Sequence, residues 1–321
     1  MPSALPPGPS RFLVRPLPGS TGFLSQILVA TRKGDSRRYI LKVGSDIPAR
    51  RKWAGQLRVF ERELAAYRLL APLKGKLSPR LFSGASALHG ADGLLLLEFI
   101  RDGKNRDQLR GLTWPELLSA ARAIAQIHAR FWNTPAIRKA TRLPRHRYMR
   151  AHEVARHLPA FLRWAKLPAK TGKMFRGLPQ QVNQALARLR KQPVTLVHGD
   201  LRSDNIFYGR NLVQFINWGL SLAGHAAFDL ARLAGGSARR PLSLLQHVKL
   251  FKTWHRELLR RGVRSYPALD AWQDYRDAVL LTLTIPVTNA PTLASFSPRG
   301  RLMAKLITRR FLSSARELGL G

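Results

Sequence analysis

The sequence has 321 residues, with 55 Lys or Arg against 18 Asp or Glu, so its formal net charge at pH 7 is +37. With 45% apolar residues, a chain of this length is long enough for two domains or for one domain of two lobes. The absence of cysteine excludes disulfides, thiolate metal ligands and thiol nucleophiles, and is typical of a reducing compartment.

Neither a signal peptide nor a membrane span is expected. Prolines interrupt residues 1–25 where a signal peptide needs an apolar run, and Arg11 and Arg15 interrupt the remainder. No stretch approaches the ~20 apolar residues that cross a bilayer. We therefore expect a cytoplasmic protein without a transmembrane segment.

Residues 1–10 are rich in proline, which predicts a flexible tail. Two apolar segments, RFLVRPLP and FLSQILVAT, then flank the sequence Gly19-Ser20-Thr21-Gly22, so we expect two strands joined by a turn. A glycine-bounded loop of this kind can direct backbone N–H groups at phosphates, although an ordinary hairpin turn fits the same residues.

A third strand is predicted over residues 37–43 (RRYILKV), and Lys42 lies inside it. A cation in an apolar strand needs a partner because its charge is costly to desolvate, unless its stem snorkels from an exposed face. The following apolar spacing (Leu57, Phe60, Leu64, Tyr67, Ala71) predicts an amphipathic helix that carries Glu61 and Glu63. Both glutamates can also lie on a solvated face, with Glu61 paired to Arg58.

Two more strands are predicted at residues 79–87 and 93–100, the second ending in Glu98-Phe99-Ile100. Five strands and one helix make a small β-rich lobe over residues 11–101. The polar sequence after it, DGKN, is typical of a linker. Residues 102–321 form the second predicted lobe.

The second lobe is predicted to be mainly helical. Thr113 and Glu116 have the spacing of a capping box, and His128 on the apolar face of that helix favours a buried, hydrogen-bonded histidine over a metal ligand. The segment AAFDLARL predicts a helix containing Asp229, and three scaffold helices follow over 241–262, 268–287 and 298–318.

Residues 134–192 are basic and interrupted by proline, which predicts short helices. Twelve Lys or Arg between residues 138 and 176 are opposed only by Glu153, and no acidic residue occurs from 154 to 199. Aromatic residues are interleaved with these cations. They fit helix packing, a flat substrate bearing an acidic group, or a stacked nucleic-acid strand. They are Tyr148, Phe161, Trp164 and Phe175.

The functional prediction rests on residues 194–218, VTLVHGDLRSDNIFYGRNLVQFINW. A short apolar strand leads into a polar loop, and two apolar runs around a Gly-Arg-Asn turn predict a hairpin. Asp200 and Asn205 place a carboxylate that can accept a hydroxyl proton near an amide oxygen that can bind a hard cation. A solvated Asp/Asn-rich turn is the alternative.

The loop HGDLRSDN resembles the catalytic loop of the aminoglycoside phosphotransferase and choline kinase family, and FERELAAY, IHARFW and FDLARL are similar to its ecdysteroid kinase-like branch. This resemblance implies an α+β, bilobal protein-kinase-like fold with a small β-rich N-lobe and a larger, mainly helical C-lobe. It also implies an ATP-dependent phosphotransferase that uses Mg²⁺ and acts on a hydroxyl of a small molecule.

The resemblance assigns roles to individual residues. Asp200 is the implied catalytic base, and Asn205 is an implied Mg²⁺ ligand together with residue 217. Lys42 is implied to hold the α- and β-phosphates while Glu63 orients it, with Glu61 as the alternative partner. The other implied nucleotide contacts are the loop Gly19, Ser20, Thr21 and Gly22 and the backbone of Glu98 and Ile100. The implied supports of the catalytic loop are His198 and Asp229, although Asp229 can instead pair with Arg232 on its own helix.

One position departs from the family pattern. Asn217, in Ile216-Asn217-Trp218, stands where the family has a metal-binding aspartate. The amide keeps an oxygen ligand and the shape but removes one negative charge, so weaker Mg²⁺ binding is expected. Three alternatives remain open: an active enzyme in which Asp204 or the phosphates compensate, a pseudokinase that binds or regulates without catalysis, and a replacement made to trap a complex.

The positive charge attracts anions and repels cations. A neutral or anionic hydroxyl compound is therefore expected as acceptor, rather than choline or a polycationic aminoglycoside. Nonspecific attraction to nucleic acid or anionic lipid is also expected. The charge can equally reflect solubility and composition alone.

Overall fold

A computed structural model of the chain describes residues 12–17, 24–32, 34, 36–146, 150–210 and 212–320. The predicted tail over residues 1–10 and the aromatic residue Tyr148 lie outside these ranges. The chain divides into two compact units. Unit 1 comprises Met1–Gly103 together with Gly209–Ser221, and unit 2 comprises Lys104–Tyr208 together with Leu222–Gly321. The predicted central stretch is thus shared between them, because its polar loop lies in unit 2 and its last part lies in unit 1.

The described residues form ten strands and eleven α-helices. The strands are β1 (Phe12–Pro16), β2 (Ser25–Arg32), β3 (Arg38–Gly44), β4 (Leu81–Ala87), β5 (Asp92–Glu98), β6 (Lys104–Asn105), β7 (Thr195–Val197), β8 (Ile206–Gly209), β9 (Leu212–Phe215) and β10 (Leu222–Gly224). The helices are α1 (Pro48–Leu57), α2 (Val59–Leu70), α3 (Trp114–Phe131), α4 (Pro135–Arg138), α5 (Ala151–Ala165), α6 (Ala169–Leu189), α7 (Ala227–Ser237), α8 (Leu244–Arg260), α9 (Ala268–Thr282), α10 (Thr284–Phe296) and α11 (Pro298–Glu317).

Unit 1 is built on an antiparallel sheet in the order β1-β2-β3-β5-β4. The five strands occur where alternating and β-branched residues predict them. Central strand β3 pairs with β2 and β5, which places Lys42 opposite Ile27 on one side and Leu95 on the other. A lysine in the middle of a sheet cannot reach water as easily as one on an edge strand.

Unit 1 contains two helices before the fourth strand, so the prediction of one helix is wrong. Only Ala54 is fully buried in α1, and a helix without an apolar stripe leaves little periodic signal in the sequence. Arg58 adopts a left-handed conformation (φ 54°), which ends α1 and starts α2 at a new angle. Helix α2 buries the predicted stripe of Phe60, Leu64 and Tyr67.

The later segment of unit 1 attaches to the same helix and to the loop before β4. The backbone N–H of Phe215 donates to the carbonyl of Leu77 at 2.9 Å, and Arg62 on α2 donates from Nε to the carbonyl of Ser221 at 2.8 Å. Trp218 is completely buried. These contacts fix residue 217 against α2.

Unit 2 contains a short buried strand pair. Strands β7 and β10 are antiparallel, with Val197 opposite Leu222 and Thr195 opposite Gly224. The polar loop follows β7 directly, and helix α7 begins shortly after β10. The capping box of α3 forms as predicted, since Glu116 accepts from the backbone N–H of Thr113 at 2.8 Å.

Helices α5 and α6 are longer than the short helices predicted from their prolines. Pro159 lies inside α5 and Pro179 lies inside α6. An interior proline costs about 3 kcal/mol or more. Packing between the helices offsets this cost, because Phe161 and Phe175 are completely buried with ring centroids 4.9 Å apart.

The C-terminal part of unit 2 has four helices, so the prediction of three is wrong. The helix predicted over 268–287 ends at Thr282, and α10 starts two residues later and continues through Pro291. Within the described residues, Ala268–Phe296 is long and apolar enough to cross a membrane by length and composition, but 56% of its apolar 18-residue stretch is buried inside the protein. Burial of this kind is typical of core helices.

Candidate active site

The buried ion pair of unit 1 joins the sheet to helix α2. Lys42 donates from Nζ to Oε2 of Glu63 at 2.6 Å, and the two side chains are only 7% and 1% exposed. Glu63, and not Glu61, therefore satisfies the charge that β3 places in the sheet. Glu61 instead accepts from Nε of Arg58 at 2.9 Å.

Asn217 is the third member of this group. Lys42 donates from Nζ to Oδ1 of Asn217 at 2.9 Å, so one ammonium binds both a carboxylate and an amide oxygen. Asn217 adopts a left-handed backbone conformation, with φ 64° and ψ 59°. Asn and Asp are the non-glycine residues that tolerate this region best.

Tyr67 lies beside this group on α2. Burial raises the pKa of Tyr67 well above its usual value, and the negative charge of Glu63 raises it further. The phenol is consequently neutral, and the charges of the group are those of Lys42 and Glu63.

The remaining nucleotide-binding predictions fall in two places. The loop Gly19, Ser20, Thr21 and Gly22 lies outside the described residues. Glu98 belongs to β5, where its carboxylate accepts from the backbone N–H and from Nη2 of Arg80, both at 3.1 Å. Its own N–H donates to the carbonyl of Arg80, and half-buried Ile100 follows the end of the strand.

In unit 2, Asp200 is enclosed by three side chains. Arg232 donates from Nη2 to Oδ1 at 2.8 Å, and Arg202 donates from Nε to Oδ2 at 2.9 Å. Asn205 donates from Nδ2 to Oδ2 at 3.1 Å and to the carbonyl of Asp200 at 2.8 Å. The carboxylate is therefore fixed in orientation.

The two guanidinium groups decide the charge of Asp200. Burial alone would raise the pKa of Asp200, but the positive charges of Arg202 and Arg232 outweigh this effect and lower the pKa well below its usual value. The carboxylate is ionised throughout the neutral range. A carboxylate with so low a pKa orients a hydroxyl by accepting its hydrogen bond more readily than it removes the proton.

Asp229, at the start of α7, binds the backbone of the loop that carries Asp200. Its Oδ2 accepts from the N–H of His198 at 2.7 Å and its Oδ1 from the N–H of Gly199 at 2.9 Å. His128 on α3 contacts Oδ2 through Nε2 at 3.1 Å, and its Nδ1 accepts from Trp254 at 3.1 Å. His128 is thus a buried, hydrogen-bonded histidine of the scaffold.

Sequence reasoning missed the arginine partners of Asp200. The alternative that Asp229 pairs with Arg232 on its own helix is wrong, because Asp229 accepts from two backbone N–H groups of the loop and Arg232 binds Asp200. Arg202 also reaches Asp204 at 2.5 Å and Oε1 of Gln108 at 2.6 Å. The position of Arg202, two residues after Asp200, is the one feature of the sequence that indicated this contact.

Asn205 in unit 2 and Asn217 in unit 1 each carry an amide oxygen of the kind that a hard cation binds. The Nδ2 of Asn205 is directed at Asp200, which places its Oδ1 on the other side of the amide. The Oδ1 of Asn217 accepts from the ammonium of Lys42, so this oxygen already faces a positive charge. Amide oxygens are ligands for Mg²⁺, so the residues fit in type but carry no charge. No cluster of three or more His, Cys, Asp or Glu in the described part of the chain could hold a metal ion.

Comparison of folds places the chain among kinase-like proteins. The choline kinase of Cryptosporidium parvum Iowa II aligns with 98% of this chain and 92% of its own, with a TM-score of 0.62 and 13% identity. The GDP complex of a mutant aminoglycoside 2'-phosphotransferase-IIIa aligns with 96% of this chain and 93% of its own, with a TM-score of 0.61 and 13% identity. Plasmodium vivax ethanolamine kinase aligns with 96% of this chain and 82% of its own, with a TM-score of 0.57 and 11% identity. The predicted kinase-like α+β fold is confirmed.

Comparison of sequences identifies the family. No curated protein matches the chain. The model of the phosphotransferase enzyme family (APH) matches residues 16–273, which is most of the sequence. The predicted family is therefore correct, while its ecdysteroid kinase-like branch stays a prediction. The chain belongs to the phosphotransferase enzyme family.

Proposed function

We propose that this protein transfers the γ-phosphoryl group of ATP to a hydroxyl group of a small molecule. The observation that carries the proposal is the half-buried, ionised carboxylate of Asp200, which two arginines and Asn205 hold in one orientation. Phosphoryl transfer depends mainly on positioning and charge neutralisation, and a fixed carboxylate supplies the positioning of the attacking hydroxyl.

Asp200 and Lys42 have different roles in the proposed chemistry. Asp200 accepts a hydrogen bond from the acceptor hydroxyl and directs its oxygen at the γ-phosphorus. Because the pKa of Asp200 is low, the acceptor hydroxyl loses its proton late, when the phosphoryl group has largely transferred. The ammonium of Lys42 neutralises phosphate charge, and Glu63 holds it in place.

Mg²⁺ is the proposed metal, with Asn205 and Asn217 as its protein ligands. When bound, Mg²⁺ offsets negative charge on the phosphate oxygens. Two neutral ligands bind a dication more weakly than a set containing a carboxylate, since the charge count of the ligands sets affinity. ATP is the proposed donor, and GTP belongs in the same assay because a structure of similar fold is a GDP complex.

The proposed acceptor is neutral or anionic. Proteins of similar fold are named for choline, ethanolamine and aminoglycosides. A net charge of +37 disfavours the approach of a cation to this chain, and around Asp200 the charges of Asp200 and Asp204 are matched by Arg202 and Arg232. No excess negative charge is therefore available among these four residues to bind a cationic acceptor.

A catalytically inactive binding or regulatory protein is the second candidate. It is favoured by one observation, the neutral amide of Asn217 in hydrogen-bond contact with Lys42. A pseudokinase of this kind would bind nucleotide through Lys42 and lack the charge to hold Mg²⁺ for transfer.

The test is consumption of ATP or GTP with Mg²⁺ or Mn²⁺ across a panel of neutral, anionic and cationic alcohols. We expect turnover with a neutral or anionic alcohol and its loss in Asp200→Asn, which keeps the size of the side chain and removes its charge. Asp107→Asn, at an exposed carboxylate, is the control. A nucleotide-induced rise in melting temperature without turnover in the native protein or in Asn217→Asp would favour the binding protein. Preference for an aminoglycoside would contradict the acceptor class.

Two finer assignments belong to the same proposal. A cytoplasmic location is supported by the absence of cysteine and by the need for a nucleotide pool. Membership of the ecdysteroid kinase-like branch is supported by FERELAAY, IHARFW and FDLARL. Fractionation of the native cells tests the first assignment, and activity on a steroid alcohol in the panel tests the second.

A further inference from the structure

Helices α5 and α6 and the turn between them carry a group of exposed cations that lies outside the candidate active site. We name this group the basic hairpin surface. It consists of Arg156, Arg163, Lys166, Lys170, Lys173 and Arg176, all of which are exposed.

None of these six cations forms an ion pair with a carboxylate in the described part of the chain, since none occurs among its salt bridges. The sequence explains this, because no acidic residue occurs from Val154 to Gly199. Two exposed arginines elsewhere in unit 2 do have a carboxylate partner, since Arg188 pairs with Asp277 and Arg299 pairs with Asp107. The positive charge of the hairpin is therefore uncompensated.

The neighbouring helices do not supply the missing negative charge. Helix α5 packs on α6 and on α10, which has no charged residue, and α10 packs on α11, which has six Lys or Arg and only Glu317. Helix α9 packs on α6 and carries three aspartates. Asp274 and Asp277 are buried, and Tyr266 binds Asp274 while Arg188 binds Asp277. The remaining aspartate of α9, Asp270, is a single negative charge against six cations.

The cations on α6 share one side of the helix. Lys170, Lys173 and Arg176 are spaced by three residues, and the opposite side is buried through Phe175 and Leu178. Six residues of helix extend about 9 Å. Exposed neutral side chains that can form hydrogen bonds continue the same side toward the C-terminus. They are Gln180, Asn183 and Gln184.

The composition of this surface selects among polyanions. A helix that lies on a membrane inserts an apolar face, and no large apolar side chain is exposed on α5 or α6 in the described structure. A single nucleic-acid strand is bound by stacking on a row of exposed aromatic rings, but Phe161 and Phe175 are completely buried and Trp164 is half-buried, with its ring 6.2 Å from that of Phe161. What remains exposed is positive charge at regular spacing, which suits the closely spaced phosphates of a duplex.

We propose that the basic hairpin surface binds double-stranded nucleic acid through its phosphates, without reading base sequence. This inference is independent of phosphoryl transfer, because it uses none of the residues placed at the candidate active site. A protein that is both a kinase and a duplex binder, or a duplex binder without kinase activity, would satisfy it equally.

The test compares two triple variants with the same change of charge. Lys170→Gln, Lys173→Gln and Arg176→Gln together neutralise the α6 row. Lys249→Gln, Lys252→Gln and Arg256→Gln neutralise three exposed, similarly spaced cations on α8. Binding of a fluorescein-labelled DNA duplex of arbitrary sequence is measured by anisotropy over a range of salt concentrations, after thermal melting has shown that each variant is folded.

We expect the α6 variant to bind at least about tenfold more weakly at ~0.1 M salt, and the slope of log K against log[salt] to fall in magnitude by about 2 to 3. The α8 variant is expected to lose less than about threefold. Equal weakening of both variants would show that total charge alone matters and would overturn the proposal. No duplex binding, tighter binding to a single strand, or binding only to phosphatidylserine vesicles would overturn it as well.

Discussion

Arg232 donates from Nη2 to Oδ1 of Asp200 at 2.8 Å across thirty-two positions of sequence. The guanidinium is almost completely buried, and its face lies 5.3 Å from the ring of Phe311. A Cβ at Gly236 would come within 2.5 Å of Nη1, so the helix has room for this side chain because that residue is glycine. Arg232 is therefore held in place to control the ionisation of Asp200.

Replacing Arg232 with Gln is expected to raise the pKa of Asp200, because burial then acts against one guanidinium instead of two. The acid limb of the pH profile of kcat should move to higher pH, and kcat should fall by about tenfold or more. Breaking a buried pair also costs roughly 3 to 5 kcal/mol of unfolding free energy. The pH profile is the decisive measurement. A loss of stability with an unmoved acid limb would mean that Arg232 acts only in packing, and Arg299→Gln, at an exposed pair, is the matched control.

Replacing Asn217 with Asp is expected to increase the affinity for Mg²⁺ with nucleotide by about tenfold, or about 1.4 kcal/mol. The added carboxylate supplies charge to the cation, although part of the gain is lost because Lys42, 2.9 Å from Oδ1, competes for it. Isothermal titration with Mg²⁺ at saturating nucleotide measures the change. The same affinity in both proteins would show that residue 217 is not a metal ligand.

Replacing Asp229 with Asn is expected to destabilise the protein by roughly 2 to 4 kcal/mol. Asp229 accepts from two backbone N–H groups, whereas an amide offers one oxygen and turns an NH₂ group toward a second donor. Urea unfolding measures the loss. Asp107→Asn, where the side chain is 39% exposed, should cost less than about 1 kcal/mol. Similar losses in both variants would contradict the bracing role of Asp229.

Stability is expected to fall as the pH falls from about 7 to about 4, partly because of His247. Burial lowers the pKa of His247 from 6.5 to about 4. Below about 6.5 the unfolded chain binds a proton that the folded protein does not, so the unfolding free energy decreases until the pH reaches about 4. The contribution of this one group is about 3 kcal/mol.

His247→Gln provides the test for this dependence. Gln removes the titrating group and can still bind the hydroxyl of Tyr275, which lies 2.8 Å from Nδ1. Urea unfolding at a series of pH values should give a flatter profile for the variant between pH 7 and pH 4. His146, whose pKa burial also lowers to about 4, remains in both proteins and leaves a common slope. Parallel profiles would contradict the assignment to His247.

The sequence predicts elements well where one periodicity dominates. The five strands of unit 1 and helices α2 and α3 follow from alternation, apolar stripes and a capping box. A need for a partner at Lys42 follows from its place in an apolar strand, and the structure supplies Glu63. These features depend on residues close in sequence or on a single strong cost of desolvation.

The sequence predicts poorly where several partners compete. Helix α1 has no apolar stripe, and prolines in α5 and α6 are tolerated because buried aromatic packing offsets them. Local spacing leaves a pair between Arg232 and Asp229 open, yet backbone donors from the loop occupy Asp229. Competition of this kind is decided by the tertiary structure, and no pattern within one helix reveals it.

The left-handed backbone of residue 217 limits which side chains can ever have stood there. Besides glycine, Asn and Asp adopt such angles most easily, and a branched side chain would strain the turn before buried Trp218. A substitution between Asn and Asp exchanges one nitrogen and one oxygen at the tip of the side chain and leaves the turn intact. With residue 217 in its proposed role as a metal ligand, this protein could therefore pass between strong and weak cation binding during descent, in either direction, without refolding around the change.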